Sequence, residues 1–300
     1  MFFKRFFKRE RGQTVVLAAI SLTGMLAMLG LVIDGGMYYV ERTHLQKAAN
    51  AAALSGAQEL TTEDERIVRG IVDDTLTHHD ELDALSGVII LLDERVTVEL
   101  ERQFTTTFMS LFGIDSFDVN VQATARLGTM GRAIGAAPLG IEESIEIVPG
   151  EEYVLKVDEG EVDIGNFGVL ALEGPGARTY KENLLEGFQE ELSVGDVVNT
   201  QTGNIAGPTK EATDILINSC DNMYERDCKR VLLVPVYQPY SHDNNQLKQV
   251  KITGFAYFYI TEPMNDKDKT VKGVFIERAG SGFELEEAVD RGAFTVRLSE

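Results

Sequence analysis

VVLAAISLTGMLAMLGLVI, residues 15–33, is the stretch that decides the fold of this chain. It contains no charged residue, and its polar side chains are Ser21 and Thr23. At about 1.5 Å of rise per residue, a helix of this length spans about 28 Å, close to the hydrocarbon thickness of a bilayer. A buried core helix of this length usually carries a polar face. The stretch therefore predicts a transmembrane helix.

The residues on either side of the stretch predict its orientation. Five basic residues precede it: Lys4, Arg5, Lys8, Arg9 and Arg11. The positive-inside rule places this basic segment, residues 1–14, in the cytoplasm and residues 34–300 on the outer face. The alternative is a cleaved secretory signal, which has a shorter apolar stretch followed by a cleavage site of small residues. In this chain the apolar stretch is long and is followed directly by Asp34.

The charge of the chain is uneven. Its 300 residues carry a net charge of −20, and the basic start contributes about +4, which leaves about −24 for the remainder. A surface this acidic disfavours nucleic acid as a partner, because phosphate binding requires a basic face.

A second helical pattern follows at residues 40–60. Gly35 and Gly36 precede it, and each glycine costs a helix roughly 1 kcal/mol, so this pair marks a candidate hinge. Small residues form two ridges that permit close helix packing. These are Ala48, Ala52 and Gly56, and Ala49, Ala53 and Ala57. The ridges pack either against the globular part of the same chain or against a neighbouring subunit.

Short motifs on both sides of the apolar stretch resemble those of a known family. Arg11-Gly12 precedes it, Asp34-Gly35-Gly36 follows it, and LQKAANAAAL stands at 45–54. The residues concerned beyond the membrane are Asp34, Gly35, Leu45, Gln46, Ala48, Ala52, Ala53 and Gly56. Their order and spacing, over about 45 residues, resemble the N-terminal motif of the TadE/TadG-like family. Its members are membrane proteins of the bacterial Tad (Flp, type IVb) pilus assembly system. The resemblance implies a single-pass protein of the bacterial cell membrane, with other pilus-assembly or secretion proteins as partners and a homo- or hetero-oligomer through the Ala-rich helix.

One position departs from the pilin-like members of that family. Those members are cut after a glycine, and a glutamate stands at the fifth position of the mature chain. The corresponding cut here is Gly12/Gln13, and the fifth position is Leu17. Leucine cannot pair with the amine of a neighbouring subunit. The resemblance therefore favours TadG-like members that stay uncleaved.

The pattern of the remaining chain predicts an α+β fold in two parts. Residues 34–130 are expected to form the long helix and a small α/β, pilin-like unit, with helices near 61–79 and 104–112 and strands at 88–92, 96–100 and 117–127. Residues 128–140 are rich in glycine and predict a linker.

Residues 131–300 are predicted to form a β-rich domain. Strands are expected at 144–148, 153–157, 168–172, 231–236, 250–260, 271–276 and 294–298, and helices at 180–190 and 209–218. This part resembles a C-terminal region attached to TadE/TadG-like anchors in Gram-positive bacteria.

Motifs for catalysis or for metal and nucleotide binding do not stand out in the sequence. The four histidines, His44, His78, His79 and His242, lack zinc-site spacing, and the glycine-rich turns lack the lysine of a phosphate loop. An Asp-x-Ser-x-Ser motif, the metal-binding pattern of an adhesive A-type domain found in many TadG-like proteins, is also missing. We therefore expect no enzyme activity and no cofactor or metal.

Two cysteines, Cys220 and Cys228, could close a short loop. In an oxidising compartment such a disulfide stabilises a fold by about 2–3 kcal/mol. Two free thiols and a redox pair are the alternatives.

The function these observations favour is a non-enzymatic, membrane-anchored component of a Tad/Flp-type pilus assembly or related secretion system. Its acidic outer domain would contact other subunits or the cell envelope. A membrane-tethered binding or sensor module is the first alternative, and a tethered hydrolase is the second.

Overall fold

The computed structural model describes residues 10–156, 167–201, 205–243, 246–265, 267 and 269–299. The helices are α1 (Glu10–Ala57), α2 (Glu65–His78), α3 (Ala177–Glu186) and α4 (Ala206–Leu216). The strands are β1 (Leu85–Leu91), β2 (Arg95–Thr105), β3 (Ser116–Ala133), β4 (Leu139–Glu142), β5 (Glu152–Lys156), β6 (Phe167–Ala171), β7 (Leu192–Ser193), β8 (Val197–Thr200), β9 (Val231–Asp243), β10 (Gln246–Asn265), β11 (Thr270–Ile276), β12 (Arg278–Gly280), β13 (Phe283–Glu284) and β14 (Ala293–Ser299). The predicted α+β class, with a long apolar N-terminal helix and a β-rich C-terminal region, is confirmed.

Helix α1 runs without a break through Gly35 and Gly36, so the candidate hinge is wrong. A Cβ atom at either glycine would meet nothing within 4 Å, so no neighbour bends the chain there. The glycine penalty is local, whereas helix formation is cooperative along the whole 48-residue element. Anchor and domain are consequently joined by one continuous helix.

The first sheet has the strand order β1-β2-β3-β14-β12. Strands β1 and β2, predicted at 88–92 and 96–100, form a hairpin around Asp93-Glu94, where Asp93 adopts the left-handed conformation with φ 60°. Along β3 the alternating apolar side chains from Val119 to Leu127 are buried, whereas Phe117 at the start of the strand is exposed. Helices α1 and α2 cover this buried face and complete the first core.

The second sheet closes on itself. Its order is β5-β11-β10-β8-β6-β4-β9, and β9 also pairs with β10. The long strand β10 makes this closure, because it pairs with β9 along one edge and with β8 and β11 along the other. Helices α3 and α4 pack beside this ring, and α4 contacts β10.

Several predicted elements differ from the structure. The predicted linker at 128–140 is wrong, because β3 continues to Ala133 and buries Met130 between the two sheets. The predicted helix at 104–112 is a continuation of β2 followed by a turn and a short 3-10 helix, Met109–Phe112. Residues 144–148 form a turn and irregular chain in place of a strand, and the helices predicted at 180–190 and 209–218 begin and end earlier.

The C-terminal strand does not stay with the second sheet. Strand β14 pairs antiparallel with β3, from Phe294 opposite Thr129 to Ser299 opposite Thr124. Pairing between strands distant in sequence is decided by tertiary packing, which the local pattern of 294–298 does not encode. The end of the chain therefore returns to the sheet that carries α1.

Candidate functional site

One face of α1 is docked against the rest of the chain over most of its length. The buried or half-buried positions recur every three or four residues, the spacing of a single helix face. They are Ala27, Gly30, Asp34, Tyr38, Glu41, Leu45, Ala48, Ala52 and Gly56. This face begins inside the apolar stretch and ends beyond it, so the domain reaches down along the anchor.

Asp34 is the residue where the apolar stretch ends, and its side chain is 1% exposed. Its carboxylate accepts backbone N–H bonds from Thr107 at 3.0 Å, Phe108 at 2.8 Å and Met109 at 2.7 Å. These N–H groups stand at the start of the short 3-10 helix, where backbone donors have no partner within the helix. Asp34 thus binds the turn between β2 and β3 to α1.

The environment of Asp34 favours its ionised form. Burial acts to raise the pKa of this carboxyl, while the bonds from Met109, Thr107 and Phe108 lower it, and the pKa lies below its ordinary value. Asp34 is therefore an ionised carboxylate at neutral pH, and its oxygens accept hydrogen bonds from three backbone N–H groups.

Gly30 lies one helical turn before Asp34 on the same face. A Cβ atom built on Gly30 would lie 2.6 Å from Cβ and 2.7 Å from Cγ of Phe108. Real Cβ atoms do not approach other atoms so closely, so the turn seats here because residue 30 has no side chain. Gly24, in the same apolar stretch, has nothing within 4 Å of such a Cβ position.

Arg102 of β2 makes a second connection between α1 and the domain. Its guanidinium lies 3.2 Å from Glu41 of α1, 2.7 Å from Glu81 and 2.8 Å from Asp83. Glu81 is buried, and its other oxygen lies 3.3 Å from a ring nitrogen of His44. The charged groups of this region therefore lie in contacts that connect α1, the segment after α2, and β2.

The alanine ridges of α1 are buried within the chain. Leu45, Ala49, Ala52, Ala53 and Ala57 are all 0% exposed. Their side chains belong to the core that α1 forms with α2, β2 and β3. Gln46 donates from Nε2 to the backbone carbonyl of Gln122 in β3 at 2.9 Å. Of the two predicted packing modes, the structure shows packing against the chain's own domain.

The apolar part of α1 has the opposite character. Leu17 is 67% exposed and Met28 is 74% exposed, and most apolar side chains of residues 15–33 are similarly uncovered. An uncovered apolar surface of this size requires a partner, and the helix is long and apolar enough to cross a membrane. Gly12 and Gln13, the residues flanking the candidate cut, lie near the start of α1.

The two cysteines are brought together. Cys220 and Cys228 have Cα atoms 5.3 Å apart, a separation that a disulfide bond spans. The loop they close precedes β9 and lies beside the C-terminal end of α1.

A cleft of about 330 Å³ separates that loop from the strands β11 and β12. Arg226 on its wall pairs with Glu59 at 2.7 Å, and Arg278 donates to the backbone carbonyl of Arg226 at 2.6 Å. Burial raises the pKa of Tyr257, also on the wall, to about 12 despite the opposing charge of Arg278. The wall of the cleft therefore carries two arginines, two glutamates, Glu59 and Glu277, and a protonated phenol.

Within the residues that the structure describes, no three His, Cys, Asp or Glu side chains stand close enough together to hold a metal ion. His78 ends α2 and His79 caps it, and His78 contacts the carbonyl of Asp74 at 2.7 Å. His242 lies in β9, and its side chain is outside the described residues.

The sequence pattern pointed to Asp34 as part of a family motif but not to its partner. The turn that Asp34 binds lies more than seventy residues away, and helix and strand periodicity do not connect the two. The available signal was chemical: a carboxylate that ends an apolar helix needs hydrogen-bond donors nearby.

Comparison with known proteins gives one match. Residues 12–59 match the family model described as putative Flp pilus-assembly TadE/G-like. No curated protein and no solved structure matches the chain. The matched range contains the apolar stretch, Asp34 and both alanine ridges, and it ends just past α1. The similarity to TadE/G-like proteins of Flp pilus assembly therefore covers α1 from Gly12 onward and the two residues after it, and the rest of the chain lies outside the matched range.

Proposed function

We propose that this chain is a non-enzymatic, membrane-anchored component of a Tad/Flp-type pilus assembly or a related secretion system. Helix α1 is the observation that carries the proposal. The family match falls on this helix, whose first part exposes apolar side chains and whose second part is built into the first sheet. Such a helix fixes a folded domain at a membrane surface.

The proposed orientation has the N-terminus in the cytoplasm and the acidic domain outside. It is supported by the basic residues that precede α1 and by the absence of lysine and arginine from the sequence between Thr14 and Glu41. A cysteine-scanning experiment tests it. A cysteine at exposed Ile134 in a Cys220→Ser/Cys228→Ser background should react with a membrane-impermeant thiol reagent on intact cells. Labelling only after lysis would contradict the orientation.

Contacts with other subunits are proposed to use surfaces other than the alanine ridges. The ridges are occupied by the chain's own core, which disfavours an oligomer built through them. The uncovered surface of α1 within the membrane and the acidic outer surface of the domain remain for heterologous contacts.

The decisive test is affinity purification of the full chain from bacterial membranes, followed by mass spectrometry of its partners. We expect other Tad components in the eluate. A matched control replaces residues 15–26 with an unrelated apolar transmembrane sequence and keeps Gly30 and Asp34. Loss of partners in this control places the contact in the membrane, whereas the absence of every Tad component from the native sample would contradict the proposal.

The same sample reports on processing. We propose that the chain stays uncleaved, because Leu17 replaces the glutamate of cleaved members. The mature N-terminus should then precede Gly12. A mature terminus at Gln13 would show that a prepilin peptidase accepts leucine at that position.

A membrane-tethered binding module is the second candidate, and the cleft between the Cys220–Cys228 loop and β12 favours it. Arg278 on its wall would suit an anionic ligand, while Arg226 is already paired with Glu59. Native mass spectrometry of the detergent-solubilised chain, compared with its Arg278→Gln variant, tests this. A bound anion released by the substitution would support the module, and identical spectra would argue against it.

A further inference from the structure

Strands β2 and β3 form a hairpin that lies along α1 and points its turn toward the anchor. Near the base of the turn, the ring of Tyr38 contacts those of Phe104 and Phe117, with ring centroids 6.2 Å apart in both pairs. Further along, the turn is bound by Asp34 and then packs against Gly30. As the hairpin approaches its tip, its contacts on α1 thus move step by step into the apolar stretch.

The depth of the last contact follows from helix geometry. Gly30 lies three residues inside Ile33, the end of the apolar stretch, which is about 4.5 Å along the helix axis at about 1.5 Å per residue. Interfacial protein segments bury themselves about 5–10 Å into the boundary between headgroups and acyl chains. Phe108, which touches Gly30, is therefore held at interfacial depth.

The chemistry of the tip agrees with that position. Residues 106–114 read TTFMSLFGI and contain no charge. Leu111 is 80% exposed and Phe112 is 69% exposed, among the most uncovered apolar side chains of the domain. Asp34 is the charged residue of α1 next to this turn, and its carboxylate is hydrogen-bonded to three backbone N–H groups.

The backbone hydrogen bonds of the turn are also compatible with a poorly hydrated environment. In such an environment every N–H group needs a partner within the protein. Most N–H groups of the turn have one. Asp34 accepts from the N–H groups of Thr107, Phe108 and Met109. The N–H group of Thr106 donates to the carbonyl of Asp115, and those of Leu111, Gly113 and Ile114 donate to carbonyls within the turn. The hydroxyl groups of Thr106 and Ser110 donate to carbonyl groups of the same turn.

We propose that the turn from Thr106 to Ile114 is a second membrane contact, with Leu111 and Phe112 inserted into the leaflet on the domain side. The proposal rests on the membrane anchoring stated above, and it adds a role for the domain. With the helix as one attachment and the tip as another, the domain cannot rotate freely about the anchor. A lipid surface is the occupant that the observations favour, because the turn lies against Gly30, inside the uncharged apolar stretch of α1, and exposes Leu111 and Phe112 there.

Tryptophan fluorescence gives a direct test, since the chain contains no native tryptophan. The full chain with Phe112→Trp is reconstituted into phosphatidylcholine vesicles that contain lipids brominated near the headgroup or near the end of the acyl chain. We expect a marked loss of emission with the shallow bromines and a smaller loss with the deep ones. Leu111→Trp repeats the measurement at a second exposed position.

Two matched variants complete the design. Phe283→Trp is the water-exposed control, because Phe283 pairs with Arg132 near the end of β3 that is opposite to the turn. Leu29→Trp, on the lipid-facing side of α1, is the membrane control. Quenching at positions 111 and 112 but not at 283 supports the second contact.

The contrary outcomes are distinct. The second contact is overturned if brominated lipids quench tryptophan at position 29 but leave tryptophan at positions 111 and 112 as unquenched as at position 283. That outcome leaves the anchoring by α1 intact. It would also be the result if a protein partner, absent from the vesicles, normally covers the tip. Insensitive emission at position 29 would overturn anchoring itself, whereas the pilus role is decided separately by the purification experiment.

Discussion

Asp34 shows how a single charge is accommodated at the end of the apolar part of α1. Its three backbone donors come from one turn, so the interaction both stabilises a buried carboxylate and positions the turn on α1. A family motif residue thereby acquires a physical role that its place in the sequence alone does not reveal.

Replacement of Asp34 by asparagine should lower the melting temperature of the detergent-solubilised chain, because an amide NH₂ group would face N–H donors. The pKa of Asp34 is lower in the folded state than in the unfolded state. Its stabilising effect is therefore complete above the unfolded pKa, about 3.9, and is lost as the pH falls through the folded pKa.

Circular dichroism melts at pH 7 and pH 3 measure this effect. The difference between the native chain and Asp34→Asn should be large at pH 7 and should shrink at pH 3. An equal difference at both values would show that the carboxylate charge is not what binds the turn. Asp118→Asn, at an exposed acidic position of β3, is the control.

The two glycines of the apolar stretch provide a second prediction at this scale. Gly30→Ala introduces a methyl group where Phe108 already lies, and overpacking of this kind costs about 1–3 kcal/mol. Gly24→Ala meets open space and should gain up to about 1 kcal/mol from helix propensity. Thermal melts of both variants measure the contrast, and equal shifts would mean that the turn does not seat on Gly30.

At the scale of elements, α1 divides into two halves with different surroundings. The first half is uncovered and suited to lipid, and the second is packed into a protein core through its alanine ridges. Helix periodicity by itself does not distinguish a small-residue ridge that faces another subunit from one that faces the chain's own sheet.

Ala52→Leu tests the assignment of the ridge. Because Ala52 is fully buried between α1 and the sheet, the larger side chain should destabilise the domain by about 1–3 kcal/mol. Lys47→Leu, at an exposed position of the same helix, should change stability by less than about 0.5 kcal/mol. If Ala52→Leu left the unfolding midpoint unchanged but abolished partner binding, the ridge would face another subunit.

For the whole molecule, the two sheets are joined by a shared core, which buries Met130 and Ala133 of β3 together with side chains of the second sheet. Strand β3 begins beside α1 and ends against the second sheet, and β14 brings the C-terminus back to the first. The chain is therefore a membrane helix that carries two interlocked β structures.

Truncation after Gly292 tests this connection. It removes β14 and leaves one edge of β3 without its hydrogen-bond partner, with the buried Ala293 and Thr295 lost as well. We expect loss of the cooperative melting transition and aggregation in detergent, because an unpaired edge strand readily associates with other chains. Truncation after Leu298 is the control and should melt like the native chain. Cooperative unfolding of the shorter chain would show that the first sheet is stable without β14.

The cysteine loop gives a further prediction for the folded chain. We predict that Cys220 and Cys228 are oxidised outside the cytoplasm and that Cys220→Ser/Cys228→Ser lowers stability by about 2–3 kcal/mol. Intact-mass measurement after alkylation, with and without reductant, checks the pairing. Alkylation of both thiols without reductant would contradict it.

The sequence by itself determined the anchor, the family resemblance and most strands of the sheets. A long charge-free stretch, basic flanking residues and period-two alternation are local signals, and local signals can be read without knowing what lies nearby. Two of the predictions that failed, a linker at 128–140 and a hinge at Gly35-Gly36, were read from local glycine content.

Tertiary structure alone decided the partners of those elements. It selected the chain's own sheet as the partner of the alanine ridges, paired β14 with β3, and placed the turn at Phe108 against Gly30 and Asp34. Each of these contacts joins residues far apart in the chain. Their choice depends on complementary shapes and on the need to satisfy buried polar groups, which emerge when the chain is packed.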